Sequence, residues 1–277
     1  LRVKIKYYLQ ICASFFFRTI NIHFYMKKHN FYAGPSRLSD YTLKATAEAV
    51  IDFAGTGLSV MGISHRTAEF EDVMLSATEI VKELLDVPQG YSVLFLQGGA
   101  SLQFCMAPFN LLENNATYIN TGVWATGAIK EAKYFGDVIE LASSADRNFC
   151  YIPKGWEKNV SKDTSYVHIT SNNTIYGTQY KQDPDVPVYM VADMSSDLFS
   201  RPVDVAKYGL IYAGAQKNMG PAGTTLVVIK EEILGKNGRT IPSMLDYTKH
   251  IKAESMYNTP PVFPVYASLL TLQWLLL

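Results

Sequence analysis

Short runs of apolar, β-branched and aromatic residues recur along this chain, and helix-forming stretches separate them. The runs are Ser92-Val93-Leu94-Phe95-Leu96, Tyr166 to Thr170, Val188 to Ala192, Tyr208 to Ala213 and Thr224 to Ile229. Strands that are apolar on both faces must be covered on both faces, so the pattern implies an α/β domain built on a mostly parallel sheet flanked by helices. Shorter strands are expected at Tyr118–Asn120 and Asp137–Leu141. Helices are expected from a Ser39 or Asp40 cap to Phe53, from about Thr67 to Leu85, then over 102–112, 125–135 and 265–277. No internal repeat or heptad seam is present. In such sheets ligands bind beyond the carboxyl ends of the strands, so polar residues just after a strand are the candidates for function.

Composition narrows the possibilities. Lys+Arg and Asp+Glu are both 25, so the chain carries no basic field for nucleic acid and no acidic tail. Cys12, Cys105 and Cys150 are widely spaced and form no CxxC pair, which fits a reducing, cytoplasmic setting. The five histidines lack metal-ligand spacing, so no metal is expected. Residues 1–25 differ from the rest, being basic and aromatic, with an apolar run from Tyr7 to Phe17 broken by Gln10. That run is shorter than the roughly 20 residues a membrane span needs, and no clear cleavage site precedes Met26. The expectation is a leader over 1–25 that is foreign to the fold, followed by one large domain over 26–277.

One lysine stands out. The run Tyr208 to Ala213 leads through Gly214-Ala215-Gln216 to Lys217, then Asn218-Met219-Gly220-Pro221-Ala222-Gly223, and a second β run follows. A lysine enclosed between two buried strands favours its neutral amine, and a neutral amine can form a Schiff base with an aldehyde. A surface lysine at a hairpin tip is the plainer reading of the same local sequence. Other strand-end residues add to it. Gly98-Gly99-Ala100-Ser101 lies between a strand and a helix, where free N–H groups can hold an anion; a plain tight turn is the alternative. Asp193 follows the Val188 run, where it can cap Ser195 or Ser196, or pair with a protonated ring nitrogen. Thr174 follows the Tyr166 run, and Trp124 offers a flat stacking face at a strand mouth. An anion cradle, a stacking plate, a carboxylate and an amine at one sheet edge are what pyridoxal phosphate requires.

Longer motifs carry a family resemblance. They are His29-Asn30-Phe31 with Ala33-Gly34-Pro35, Gly55 to Met61 leading to Ser64-His65-Arg66, and Phe95 to Ser101. They continue with Ala192 to Asp197, Ser200-Arg201-Pro202, the Lys217 segment, and Met256-Tyr257-Asn258-Thr259-Pro260-Pro261. From Met26 onward the chain resembles the phosphoserine aminotransferases, fold-type-I pyridoxal 5′-phosphate enzymes of the class-V group. The resemblance implies that Lys217 is the Schiff-base lysine. It also implies that Ala100, Ser101 and Gln216 hold the cofactor phosphate, that Trp124 and Thr174 contact the ring, and that Asp193 meets its nitrogen. Asn258 and Thr259 would reach the cofactor phosphate of a neighbouring subunit, giving a homodimer with shared sites. His65 and Arg66 would bind the distal anion of the substrate, for which the planar fork of arginine suits carboxylate and phosphate alike; a solvated turn after Gly62-Ile63-Ser64 is the plainer reading of the same residues.

The implied reaction is reversible amino transfer between L-glutamate and 3-phosphohydroxypyruvate, giving O-phospho-L-serine and 2-oxoglutarate in serine synthesis. Some members of the family also take a phosphorylated hydroxythreonine in pyridoxal phosphate synthesis. Two departures qualify the resemblance. Ser101 is neutral where the family can carry arginine. The family also continues past the position of Leu277 into a small C-terminal domain that supplies an arginine for the substrate α-carboxylate, so a chain shortened at that end is expected. The competing readings are a cofactor-binding fragment without turnover, and another class-V enzyme such as a cysteine desulfurase or an alanine–glyoxylate transaminase.

Overall fold

The structure is a computed structural model that describes residues 28–277. The expected leader, 1–25, lies outside the described residues. The chain divides into two compact units, 1–31 and 32–277. The described residues of the first, 28–31, carry no helix or strand. The second unit holds every element that follows.

Helix α1 (Asp40–Ile51) begins where the hydroxyl of Ser39 accepts the Thr42 amide at 3.1 Å, satisfying one of the orphan donors of the first turn. Helix α2 (Ala68–Leu84) buries Phe70, Val73, Met74, Ala77 and Val81, a stripe at i, i+3, i+4 spacing. Strand β1 (Tyr91–Leu96) leads into α3 (Gly99–Leu111), β2 (Asn115–Asn120), α4 (Val123–Ala132) and β3 (Asp137–Ser143). Next come β4 (Val167–Thr170), a small hairpin of β5 (Asn172–Asn173) and β6 (Thr178–Gln179), and β7 (Met190–Asp193). The series closes with β8 (Tyr208–Gly214), β9 (Thr225–Lys230), α5 (Tyr247–Lys252) and α6 (Val262–Leu275).

Seven strands form one sheet in the order β1-β9-β8-β7-β4-β2-β3. The pairs from β8 through β7, β4 and β2 to β3 are parallel, and β9 runs antiparallel to both β8 and β1. Alternate residues of each strand enter two core layers. One holds Val93, Phe95, Ile169, Ala192, Ile211 and Val228 together with Phe70 and Met74 of α2 and Leu269 and Leu272 of α6. The other holds Leu94, Tyr118, Val191, Leu210 and Val227 together with Phe104 and Met106 of α3 and Ile129 of α4. Both faces are thus covered, which is why the strands read as nearly continuous apolar runs. Each buried large aliphatic or aromatic side chain contributes roughly 1.5–3 kcal/mol. Within the second layer His168 stacks on Tyr118, with ring centroids 4.7 Å apart, and its Nε2 shares a hydrogen bond with the Tyr212 hydroxyl at 2.8 Å. Burial pushes His168 down to about 3, so it is a neutral core residue.

Candidate active site

Because these strands run parallel, β1, β2, β4, β7 and β8 end at one edge of the sheet, and β9 begins there. Lys217 lies in the loop joining β8 to β9, whose ends pair at Gly214 and Thr225. The lysine therefore does occupy the tip of a hairpin, and that tip is at the ligand edge. It is half-buried rather than enclosed between the strands, because the loop carries it past the last ladder pair. The expectation of a lysine enclosed between two strands is corrected accordingly.

Hydrogen bonds and close packing fix the loop. The amides of Met219 and Gly220 donate to the Ala215 carbonyl at 3.2 and 2.8 Å. Asn218 Nδ2 donates to the Leu198 carbonyl at 2.8 Å, tying the loop to the segment after β7. Gly220 presses on α6 so closely that an added Cβ would lie 2.3 Å from Ser268 Oγ and 3.2 Å from the Ser268 Cα. A side chain at 220 has no room while the helix stays in place. Lys217 Nζ donates to the Ala33 carbonyl at 2.8 Å.

Asp193 is the last residue of β7, one position inside the strand rather than after it, and is only 5% exposed. Its Oδ1 accepts the Ser195 amide at 3.0 Å and the Ser195 hydroxyl at 2.6 Å. The capping expected of this carboxylate is therefore present. Burial raises its pKa to about 6. The two donors from Ser195 oppose that rise, the charge of Asp197 adds to it, and the charge of Lys217 opposes it. A carboxylate held at this cost favours a cationic partner.

The glycine turn after β1 opens α3 at Gly99, so Ala100 and Ser101 belong to the first turn of the helix, three residues earlier than the sequence suggested. The Gly98 cap (φ +89°) and Gly99 (φ +66°) adopt left-handed backbone that glycine tolerates at little cost, and no side chain caps the helix start. Trp124, 41% exposed, stands in the first turn of α4 beyond β2. Thr174 is in the turn of the β5–β6 hairpin. Asn173 Nδ2 donates to Thr121 Oγ1 at 3.2 Å, and a Cβ at Gly122 would meet the Tyr176 ring at 2.9 Å. The Trp124 turn and the Thr174 turn are thus packed together. Gln216 lies between Gly214 and Lys217, with its side chain folded against Gly214.

Two further expected pairs come from other segments. His65 is half-buried and Arg66 exposed in the turn before α2, and the hydrogen bonds of residues 64–67 run only to one another and to that helix among the described residues. The Thr259 carbonyl accepts Gln97 Nε2 at 2.7 Å and Asn258 Nδ2 at 3.3 Å. Segment 258–259 is therefore held against the end of β1, at the same sheet edge.

The residues fit pyridoxal phosphate on their own chemistry. A helix start free of side-chain caps can hold an anion, a buried carboxylate can hold a protonated ring nitrogen, and an amine lies at the same sheet edge. Two further buried hydroxyls, Thr170 Oγ1 and Thr225 Oγ1, have no hydrogen-bond partner among the described residues. Thr170 is the register neighbour of Asp193, and Thr225 that of Gly214. Both escaped the sequence reading, since a threonine within a strand is ordinary; their position one residue from a chain reversal was the only signal. Among the described residues no group of His, Cys, Asp and Glu could hold a metal ion, and no helix is long and apolar enough to cross a membrane.

Comparison with known proteins agrees with this geometry. Residues 28–276 match the aminotransferase class-V family. The phosphoserine aminotransferase of Parabacteroides distasonis is 60% identical over 249 residues, covering 90% of this chain and 70% of that protein. The structure of phosphoserine aminotransferase from Bacillus circulans subsp. alkalophilus superposes with a TM-score of 0.85 at 43% identity, covering 90% of this chain and 70% of that one. A pyridoxal-phosphate-bound phosphoserine aminotransferase from Trichomonas vaginalis gives a TM-score of 0.82 at 35% identity with the same coverage.

Proposed function

The chain belongs to the phosphoserine aminotransferases, pyridoxal-phosphate-dependent enzymes of aminotransferase class V, and on that premise we propose that it moves the amino group between L-glutamate and 3-phosphohydroxypyruvate. The products are O-phospho-L-serine and 2-oxoglutarate, and the step belongs to serine synthesis. A phosphorylated hydroxythreonine is a second substrate of the same chemistry, on the path to pyridoxal phosphate. The observation that carries the proposal is the meeting of Lys217 and buried Asp193 at one strand edge beside an uncapped helix start.

When bound, the cofactor supplies an aldehyde for the amino group and a ring that withdraws electrons from the donor's Cα. Lys217 would anchor it through Nζ, and its free amine would move the proton at the donor's Cα. Asp193 holds the proton on the ring nitrogen, and the ion pair offsets the cost of its own burial. Ala100, Ser101 and Gln216, with the amides at the start of α3, hold the phosphate. Trp124 would stack on the ring and Thr174 would contact it. His65 and Arg66 take the distal phosphate or carboxylate of the substrate. Asn258 and Thr259 complete the site of a second copy, so the working unit is a homodimer in the cytoplasm.

The test is turnover of O-phosphoserine against alanine and cysteine. An anion clamp on the distal phosphate predicts a preference for phosphoserine of at least ~10-fold, the worth of one charged hydrogen bond. Equal or faster use of alanine or cysteine would overturn the substrate assignment. Cofactor binding with no turnover of any of the three would reduce the chain to a binding fragment.

A further inference from the structure

The segment Ala33–Ser36 is laid across the Lys217 loop. Lys217 Nζ donates to the Ala33 carbonyl at 2.8 Å, across 184 positions of sequence. A Cβ on Gly34 would lie 2.6–2.7 Å from Cδ, Cε and Nζ of Lys217, so the backbone of Gly34 is closed over the last three atoms of that side chain. The Ser36 amide donates to the Gln216 carbonyl at 2.8 Å, which fastens this strap to the residue just before the lysine. A hydrogen bond, a steric fit and an anchor therefore converge on one amine.

Building on the assignment of Lys217 as the lysine that anchors the cofactor, we propose that the Ala33 carbonyl and the Gly34 backbone form a cradle that receives the Lys217 amine whenever the amino donor displaces it. Amino transfer frees this amine in each half of the cycle. A free lysine side chain spreads over many rotamers, whereas the amine must remain at the site to move a proton and to rejoin the cofactor. The Ala33 carbonyl selects a rotamer that keeps Nζ at the strand edge, and the missing side chain at 34 leaves the space for it. Gly34 is in this sense a positioning residue, acting through Lys217.

The variant that tests this is Gly34→Ala. Its methyl group would overlap the far end of the flexible Lys217 side chain, so the amine has to shift, and the φ of +159° at position 34 adds backbone strain. Cofactor-free protein is labelled briefly with acetic anhydride, and peptide mass spectrometry compares Lys217 with Lys207, another half-buried lysine. Labelling of Lys217 is expected to be about five-fold faster in Gly34→Ala, the worth of one net hydrogen bond, with Lys207 unchanged. In cofactor-loaded protein, the L-glutamate concentration that half-removes the absorption of lysine-bound cofactor should rise by a similar factor. Unchanged labelling of Lys217 in a folded variant would overturn the cradle. If the variant does not fold, the unsubstituted protein decides: Lys217 labelled more slowly than Lys207 supports the cradle, and equal or faster labelling overturns it. The labelling is read without cofactor, so its failure is separate from a failure of the cofactor role of Lys217.

Discussion

The hydroxyl of Ser195 donates to the buried carboxylate of Asp193 at 2.6 Å and at the same time accepts the Gly214 amide at 3.1 Å. One hydroxyl thus ties the carboxylate on β7 to the end of β8, the strand that leads to Lys217. Donors to a carboxylate favour its ionised form. Ser195→Ala should therefore push Asp193 further above 6 and weaken its hold on a protonated ring nitrogen. Cofactor titration by fluorescence should show a larger loss of affinity at pH 6.5 than at pH 8, since at pH 8 the carboxylate is ionised in either protein. An equal loss at both values would mean that Ser195 acts only through packing.

Asp193 itself carries a stability cost. Its native pKa of about 6 lies above the ordinary 3.8, so the native state binds the proton more tightly than the unfolded chain does. Stability is then greatest below the ordinary value and falls as the pH rises toward the native one. The full cost above it is about 3 kcal/mol. Asp193→Asn keeps an acceptor for Ser195 and sheds the charge. Urea unfolding of the cofactor-free protein should show the variant more stable than the unsubstituted chain. About half of the gain should be present at pH 5 and all of it by pH 7.5, while cofactor retention falls.

His168 has the opposite sign. Its native pKa of about 3 lies below the ordinary 6.5, so its contribution is intact above 6.5 and is lost as the pH falls toward 3. The slope reaches up to about 1.4 kcal/mol per pH unit. Between pH 6 and 4 the gain from protonating Asp193 offsets this loss. Asp193→Asn should expose the full acid slope of His168, and adding His168→Gln should flatten it again. Stability curves over pH 4.5 to 7.5 measure both, and an unaltered slope in the double variant would remove His168 from the account.

The joint between the Lys217 loop and α6 has a defined cost. Gly220→Ala places a methyl group against both the side chain and the backbone of Ser268. Overpacking of this kind costs about 1–3 kcal/mol, which lowers Tm by roughly 2–4 °C per kcal/mol in a chain of this size. Because the same loop carries Lys217, cofactor retention should fall along with Tm. A lower Tm with cofactor retention intact would mean that the loop tolerates a shift of the helix.

Much of this architecture was legible because local patterns coincide with it. The two-faced apolar runs gave the sheet, and the Ser39 cap gave the start of α1 within one residue. The short α5 was missed: six residues make too weak a periodic signal, although Asp246, whose side chain accepts the Thr248 amide, marks its start. The β5–β6 hairpin was missed because two-residue strands carry no alternation. At the site, Lys217 and Asp193 could be found as polar residues closing apolar runs. The Ala33 contact could not, since nothing local in Ala33-Gly34-Pro35 indicates a partner 184 positions away. The half-burial of Lys217 was misjudged for a related reason: strand-like flanks do not reveal how far a loop carries its tip past the sheet.

Lys217 is assigned above as the residue that bonds the cofactor, and everything proposed for the site depends on it. The direct measurement is borohydride reduction of the protein loaded with pyridoxal phosphate, followed by peptide mass mapping. The mass of the reduced cofactor is expected on the peptide containing Lys217. The same mass on a different lysine, with Lys217 unmodified, would contradict that assignment.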